Sequence, residues 1–324
     1  MRPVLLLAAL GSVPLLVQEP VLPVPARQQP LGLAEPPPET EARPELVAEL
    51  GARLFFSKEL ARDRTIACAS CHRPELGFAD DKPRSQGVGG RATERNSPSI
   101  LNRAFGVRFM WDGRAATLEE QVLLPIENPL EMDLALDEAL ARLARDAELA
   151  RAFEAAFGAG PSRATLARAL AAYVRRLVLG DSPVDRFRAG EIEALDDAER
   201  AGLWFYESRG GCWRCHSGPN FTDEEFHATG IGSREGVPEP GRAAVSGDPA
   251  DRGKWKTPSL RGLVATAPYM HDGSLATLED VVEFYRQGGR ASANLDPVLA
   301  KIEMSPTDAA NLAAFLRALS RRAE

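Results

Sequence analysis

The 324 residues contain only four cysteines and four histidines, and aromatic side chains make up 6% of the chain. No thiol lies outside two short motifs, so no disulfide framework exists beyond them. No histidine or methionine occurs in the loop from Arg73 to Arg95, and no histidine occurs between His72 and His216. There is no basic excess: the net charge is −7, and nothing points to nucleic acid. The apolar stretch from Val4 to Val17 is too short for a membrane span and is interrupted by Pro14. A hydrophobic content of 44% still suffices for two compact cores.

The cysteines that are present form CASCH, with Cys68, Cys71 and His72, and CWRCH, with Cys212, Cys215 and His216. This spacing lets both thiols bond one porphyrin as thioethers while the histidine reaches the iron from one face, which is c-type haem attachment. The alternatives are half zinc sites or disulfides. Zinc ribbons bring their cysteine pairs within about two dozen residues, whereas 140 residues separate Cys71 from Cys212, and a histidine follows each pair.

Residues 1–26, with Arg2 ahead of the apolar stretch, read as an export signal, and covalent haem attachment outside the cytoplasm agrees with a periplasmic location. The segment has no cysteine for a lipid anchor. Residues 27–44 turn to Pro, Glu and Gln and read as an extended linker. Helical periodicity follows over Glu45–Ser57, Thr117–Leu124, Asp133–Phe157 and Ser162–Leu179, the last with Ser162 as N-cap and Gly180 as stop. Asp181–Ala194 reads as a junction between domains at 45–186 and 187–324. Asp196 and Glu199 form a capping box ahead of Leu203, Trp204 and Phe205. Later helices start at Thr277 and at Ser305–Pro306, the last with an apolar stripe at Leu312, Phe315, Leu316 and Leu319. Nothing reads as an extended sheet, so the expected fold class is all-α.

Sliding the chain by 160 residues aligns Pro98–Val122 with Pro258–Val282, identical at ten of 25 positions without a gap. A haem motif in each half makes this the duplication of one unit. The same alignment sets Trp111 opposite His271, Met110 opposite Met270, and Pro125 opposite Tyr285. If Tyr285 is a sixth iron ligand in the second half, Pro125 leaves the first iron open. An open iron takes peroxide; a closed one passes electrons.

The strings RNSPSILN, WDGRA, KTPSLR and APYMHDGSLATLEDVVEFY resemble the di-haem cytochrome c peroxidase and MauG family from about Leu50 to the C-terminus. The resemblance implies two cytochrome c-like α domains, each with one covalently bound haem c. It implies hydrogen peroxide as substrate at the N-terminal haem, and a small cytochrome c or cupredoxin as electron donor to the C-terminal one. By motif position it implies Trp111 between the haems, and Gln121 and Glu131 in the peroxide pocket. A carboxylate over an open iron can carry a proton from the inner to the outer peroxide oxygen, and an amide can orient it without taking charge. The family also holds a calcium ion, at positions matching Asn96, Thr266 and Pro268, whose oxygen ligands suit that ion.

Two departures stand out. The histidine that caps the resting N-terminal haem in many members falls at Val88, so that iron is expected to be open without reductive activation. Where those members use methionine as second-haem ligand, this chain has Tyr285, which resembles the MauG branch. Met110, Met270, Met304, His227 and His271 remain as rival ligands, each with a packing or hydrogen-bonding role as the alternative. The reading is a periplasmic peroxidase. A MauG-like oxidant of tryptophan or another residue on a partner protein comes second, and a non-catalytic di-haem electron carrier third. A homodimer is compatible with each.

Overall fold

In the computed structural model, residues 24–299 and 301–320 are described, and most of the export-signal reading lies outside them. The helices are α1 (Pro44–Phe56), α2 (Leu118–Gln121), α3 (Leu124–Glu127), α4 (Leu136–Arg145), α5 (Ala147–Phe157), α6 (Arg163–Arg175), α7 (Pro183–Arg188), α8 (Asp197–Glu207), α9 (Ala243–Ser246), α10 (Leu278–Arg286) and α11 (Pro306–Ala318). Where a cap residue was legible, the start agrees. Ser162, Asp196, Thr277 and Ser305 each accept a hydrogen bond from the backbone N–H three residues on, satisfying a donor the first turn cannot use.

Four elements differ from the periodicity, and the first, Thr117–Leu124, breaks at Val122 and Leu123 into α2 and the start of α3. Asp133–Phe157 is two helices rather than one, because the Asp146 carboxylate accepts from the Glu148 and Leu149 N–H groups and starts α5 afresh. Helix α6 ends at Arg175, well before Gly180, because the next residues bond elsewhere: Leu177 C=O and Leu179 N–H are both taken by Asn102. The chain is mostly helical but not all-α. Strands β1 (Phe226–Ala228) and β2 (Lys254–Lys256) form an antiparallel ribbon with His227 opposite Trp255. Three-residue strands are too short to show alternation in a sequence.

Two apolar cores form, one from Val47 to Leu177 and one from Val184 to Leu319. Both rest on the same crossing of a first and a last helix, α1 on α6 and α8 on α11. Glycine makes each crossing possible. A Cβ on Gly51 would lie 1.9 Å from the Ala169 carbonyl oxygen, and one on Gly202 would lie 1.9 Å from that of Asn311. Each crossing carries an aromatic trio as well: Phe55, Phe78 and Tyr173 in the first, Tyr206, Phe221 and Phe315 in the second.

The halves meet reciprocally. Asn96 N–H donates to the His271 carbonyl at 2.8 Å, and Lys256 N–H donates to the Trp111 carbonyl at 2.8 Å. Asn96 and Lys256 are one repeat apart, and so are Trp111 and His271, which makes the seam a quasi-two-fold contact within one chain. The Pro-rich segment crosses the back of this body. Leu33 is buried, the buried Arg261 binds both the Gly32 carbonyl and the Asp185 carboxylate, and the buried Arg176 binds Glu39 and Glu45.

Candidate functional site

Each motif begins on a single helical turn, Cys68–Ser70 and Cys212–Arg214, that leads straight to the histidine. His72 Nδ1 lies 3.1 Å from the Phe78 carbonyl and His216 Nδ1 lies 3.0 Å from that of Phe221. A carbonyl can only accept, so both imidazoles carry the proton on Nδ1 and keep a lone pair on Nε2. Burial pushes both below the ordinary imidazole range, which favours the neutral, metal-binding form. Phe78 and Phe221 take φ of 55° and 51°, and this left-handed turn is what aims their carbonyls back at the rings. Burial also pushes the Cys68, Cys71 and Cys212 thiols up to about 12, 11 and 12. Two oriented imidazoles, each beside an unbridged thiol pair, are a donor set that fits two covalently held haems.

Glu131 comes to the first motif. Its charge is felt by both Cys68 and Cys71, and burial holds its carboxyl above the usual range despite Arg114 and the 2.7 Å bond from Asn128 Nδ2 to its Oε1. Val88, where the resemblance leads one to expect no capping histidine, is buried, and its N–H donates to the Glu131 carbonyl at 2.8 Å. Gln121 does not bond to Glu131; its Nε2 points at Met110 Sδ, 3.9 Å away. In the second half, Tyr285 lies by the other motif. Burial raises its phenol well above the ordinary range, and Cys215 and Cys212 add to the effect. Pro125, its counterpart, has no donor atom in the side chain.

Trp111 stands in the seam with Nε1 donating to the Asn96 carbonyl at 2.8 Å, and its ring meets His271 edge-on at 6.3 Å. The sequence reading missed Trp255, which stacks on His271 at 4.0 Å and lies under Arg95. The repeat held the signal, because Arg95 and Trp255 occupy matching positions. Asn96, buried, is drawn to the second half through His271 and to Lys82, whose carbonyl its Nδ2 reaches at 3.0 Å. Thr266 and Pro268 lie on the segment just before His271, on either side of Ala267, whose peptide bond to Pro268 is cis. His227 lies beside the second motif: its ring bridges Asp223 and Asp296 at 2.9 and 2.6 Å and reaches the Cys215 sulfur.

Residues 45–193 match the family described as di-haem cytochrome c peroxidase. The chain is 39% identical over 280 residues to the methylamine utilization protein MauG of Methylorubrum extorquens, covering 85% of this chain and 78% of that one. The chain belongs to the di-haem cytochrome c peroxidase family. It is 34% identical over 302 residues to the cytochrome c551 peroxidase of Pseudomonas aeruginosa, covering 89% of this chain and 84% of the relative. A solved MauG-like protein associated with microbial copper homeostasis superposes with a TM-score of 0.81 at 34% identity, covering 92% of this chain and 94% of its own. Membership in this family makes the chain an oxidoreductase that uses haem. Among the described residues, no helix is long and apolar enough to cross a membrane.

Proposed function

We propose that the chain is a periplasmic di-haem peroxidase of two cytochrome c-like halves, 45–186 and 187–324, which reduces hydrogen peroxide with electrons from a small cytochrome c or cupredoxin. The carrying observation is the contrast between the motifs: a half-buried carboxyl, Glu131, lies within electrostatic reach of Cys68 and Cys71, whereas the Tyr285 phenol lies within that of Cys212 and Cys215. Bound through both thiols and the Nε2 of His72 and His216, haem c would supply iron that exchanges electrons with peroxide.

The chain's own residues do the rest. Asn128 holds one oxygen of Glu131, leaving the other to take a proton from the inner peroxide oxygen and return it to the outer one. Gln121 orients peroxide or water from beside Met110. Trp111, fixed by Asn96 at the seam, would carry an electron from the second half to the first. Asn96, with the Thr266 and Pro268 carbonyls, would hold calcium at this seam.

A second reading is that the same chemistry oxidises tryptophan or another residue on a partner protein, as a MauG-like enzyme would. Tyr285 favours it, since an anionic oxygen ligand lowers an iron potential where methionine raises it. The test is the optical and electron paramagnetic spectrum of the ferric protein before and after one equivalent of peroxide. One open and one closed iron with a rapid response support the peroxidase. A long-lived product oxidised at both haems supports the second reading, and two closed irons inert to peroxide in every redox state mean an electron carrier.

A further inference from the structure

Among the described residues, one buried side-chain nitrogen has no hydrogen-bond partner: Trp255 Nε1. The residue is 6% exposed. A buried N–H left without an acceptor costs about 1–3 kcal/mol, so a donor placed here calls for an acceptor that the polypeptide does not supply.

The faces of the indole are accounted for. It stacks on His271 at 4.0 Å with 21° between the planes, and the Arg95 guanidinium lies 4.7 Å over it. Glu239, the carboxylate of this cluster, is engaged with those same neighbours: His271 Nε2 lies 3.3 Å from its Oε2 and Arg95 lies 3.9 Å from it. Only the edge of the indole, with Nε1, is left to meet a further group.

Strand register gives the direction of that edge. Trp255 stands directly opposite His227 in the β1–β2 ribbon, and cross-strand partners project from the same face. On that face His227 reaches the Cys215 sulfur. The flanking residues of β2 belong to the other face, where Lys254 pairs with Asp251 at 2.9 Å and Lys256 with Glu224 at 3.4 Å. The unpartnered donor therefore shares a face with the group that touches the second motif. A haem c held at Cys212 and Cys215 carries two carboxylates on the edge away from its thioethers, and a carboxylate is the stronger kind of acceptor for an N–H. The first half has no such donor, because the position matching Trp255 is Arg95, which itself crosses the seam to the indole.

We infer that Trp255 is a cofactor-binding residue whose Nε1 donates to a carboxylate of the second haem, with Arg95 of the first half adding a positive charge beside it. The inference rests on haem attachment at Cys212 and Cys215 and not on the peroxidase reading.

The test is the crystal structure and the resonance Raman spectrum of the purified di-haem protein, with the masses of the two motif peptides as the count of attached haems. A carboxylate oxygen of the second haem within about 3.2 Å of Trp255 Nε1 is the expected result. Trp255→Phe keeps a ring on His271 and removes the donor; it should shift the carboxylate bending band of one haem only and lower the second haem's potential. A water or a first-haem carboxylate at Nε1 overturns the inference, as does an unshifted band in Trp255→Phe with both haems bound. Should that variant not fold, the acceptor seen in the wild type decides alone. A second motif without haem overturns the attachment reading and the inference together, whereas an occupied motif with another acceptor overturns the inference alone.

Discussion

Gly51 passes Ala169 so closely that the first carbon of any side chain would lie 1.9 Å from the alanine's carbonyl oxygen. Alanine favours a helix over glycine by about 1 kcal/mol, but here the clash is with backbone, which cannot swing aside. Gly51→Ala should therefore destabilise the protein by about 2 kcal/mol or more. A lowered thermal midpoint with both haems still attached is the expected result; an unchanged midpoint would show that the α1–α6 crossing relaxes freely.

Glu131→Gln keeps the shape and loses the proton carrier. Peroxide turnover should fall by about 10²- to 10⁴-fold with haem content unchanged. Because burial raises the Glu131 pKa, the base form is lost already above the ordinary carboxylate range as pH falls. Wild-type turnover should drop on that acid limb, and the limb should vanish in the variant. Rate measurements on both proteins across pH 4–8 would check it.

Tyr285→Phe removes one oxygen beside Cys212 and Cys215 while the attachment residues stay. One of the two ferric haem signals in the paramagnetic spectrum should change and the other should not. Loss of neither signal would return the sixth-ligand role to a rival such as Met270.

The Cys215 sulfur, then Asp296 and Asp223, push His227 up to about 10 against the opposing effect of burial. A base raised in the folded state stabilises fully below its unfolded value of 6.5 and loses that contribution as pH rises towards 10. A thioether on Cys215 removes the first cause and brings the upper end of the window down. Thermal midpoints should fall across this window in the wild type and stay flatter in His227→Gln.

The sequence made legible what lies close together in it. Ser162 with Thr165 and Asp196 with Glu199 announce helix starts because a cap and its partner are three residues apart. The haem motifs are legible for the same reason. Glu131 and Tyr285 needed the repeat and the family resemblance as well. What stayed hidden joins distant segments: Gly51 on Ala169, Trp255 on His271, and the imidazolium of His227 between Asp223 and Asp296. The segment 27–44 reads as an extended linker by composition, and composition cannot tell that Glu39 has Arg176 as its partner. Asn102 stopped α6 short of Gly180 through contacts about 75 residues away in the chain, beyond any local periodicity.

The reciprocal seam also explains what a single polypeptide gains over two separate copies of one half. In a homodimer the residues facing each other across the axis are the same by necessity, so Trp111 would meet Trp111, or His271 would meet His271. Joining the halves in one chain lifts that identity. A tryptophan can then face a histidine at one shared position, and a backbone contact inherited from symmetry can serve a site that is directional.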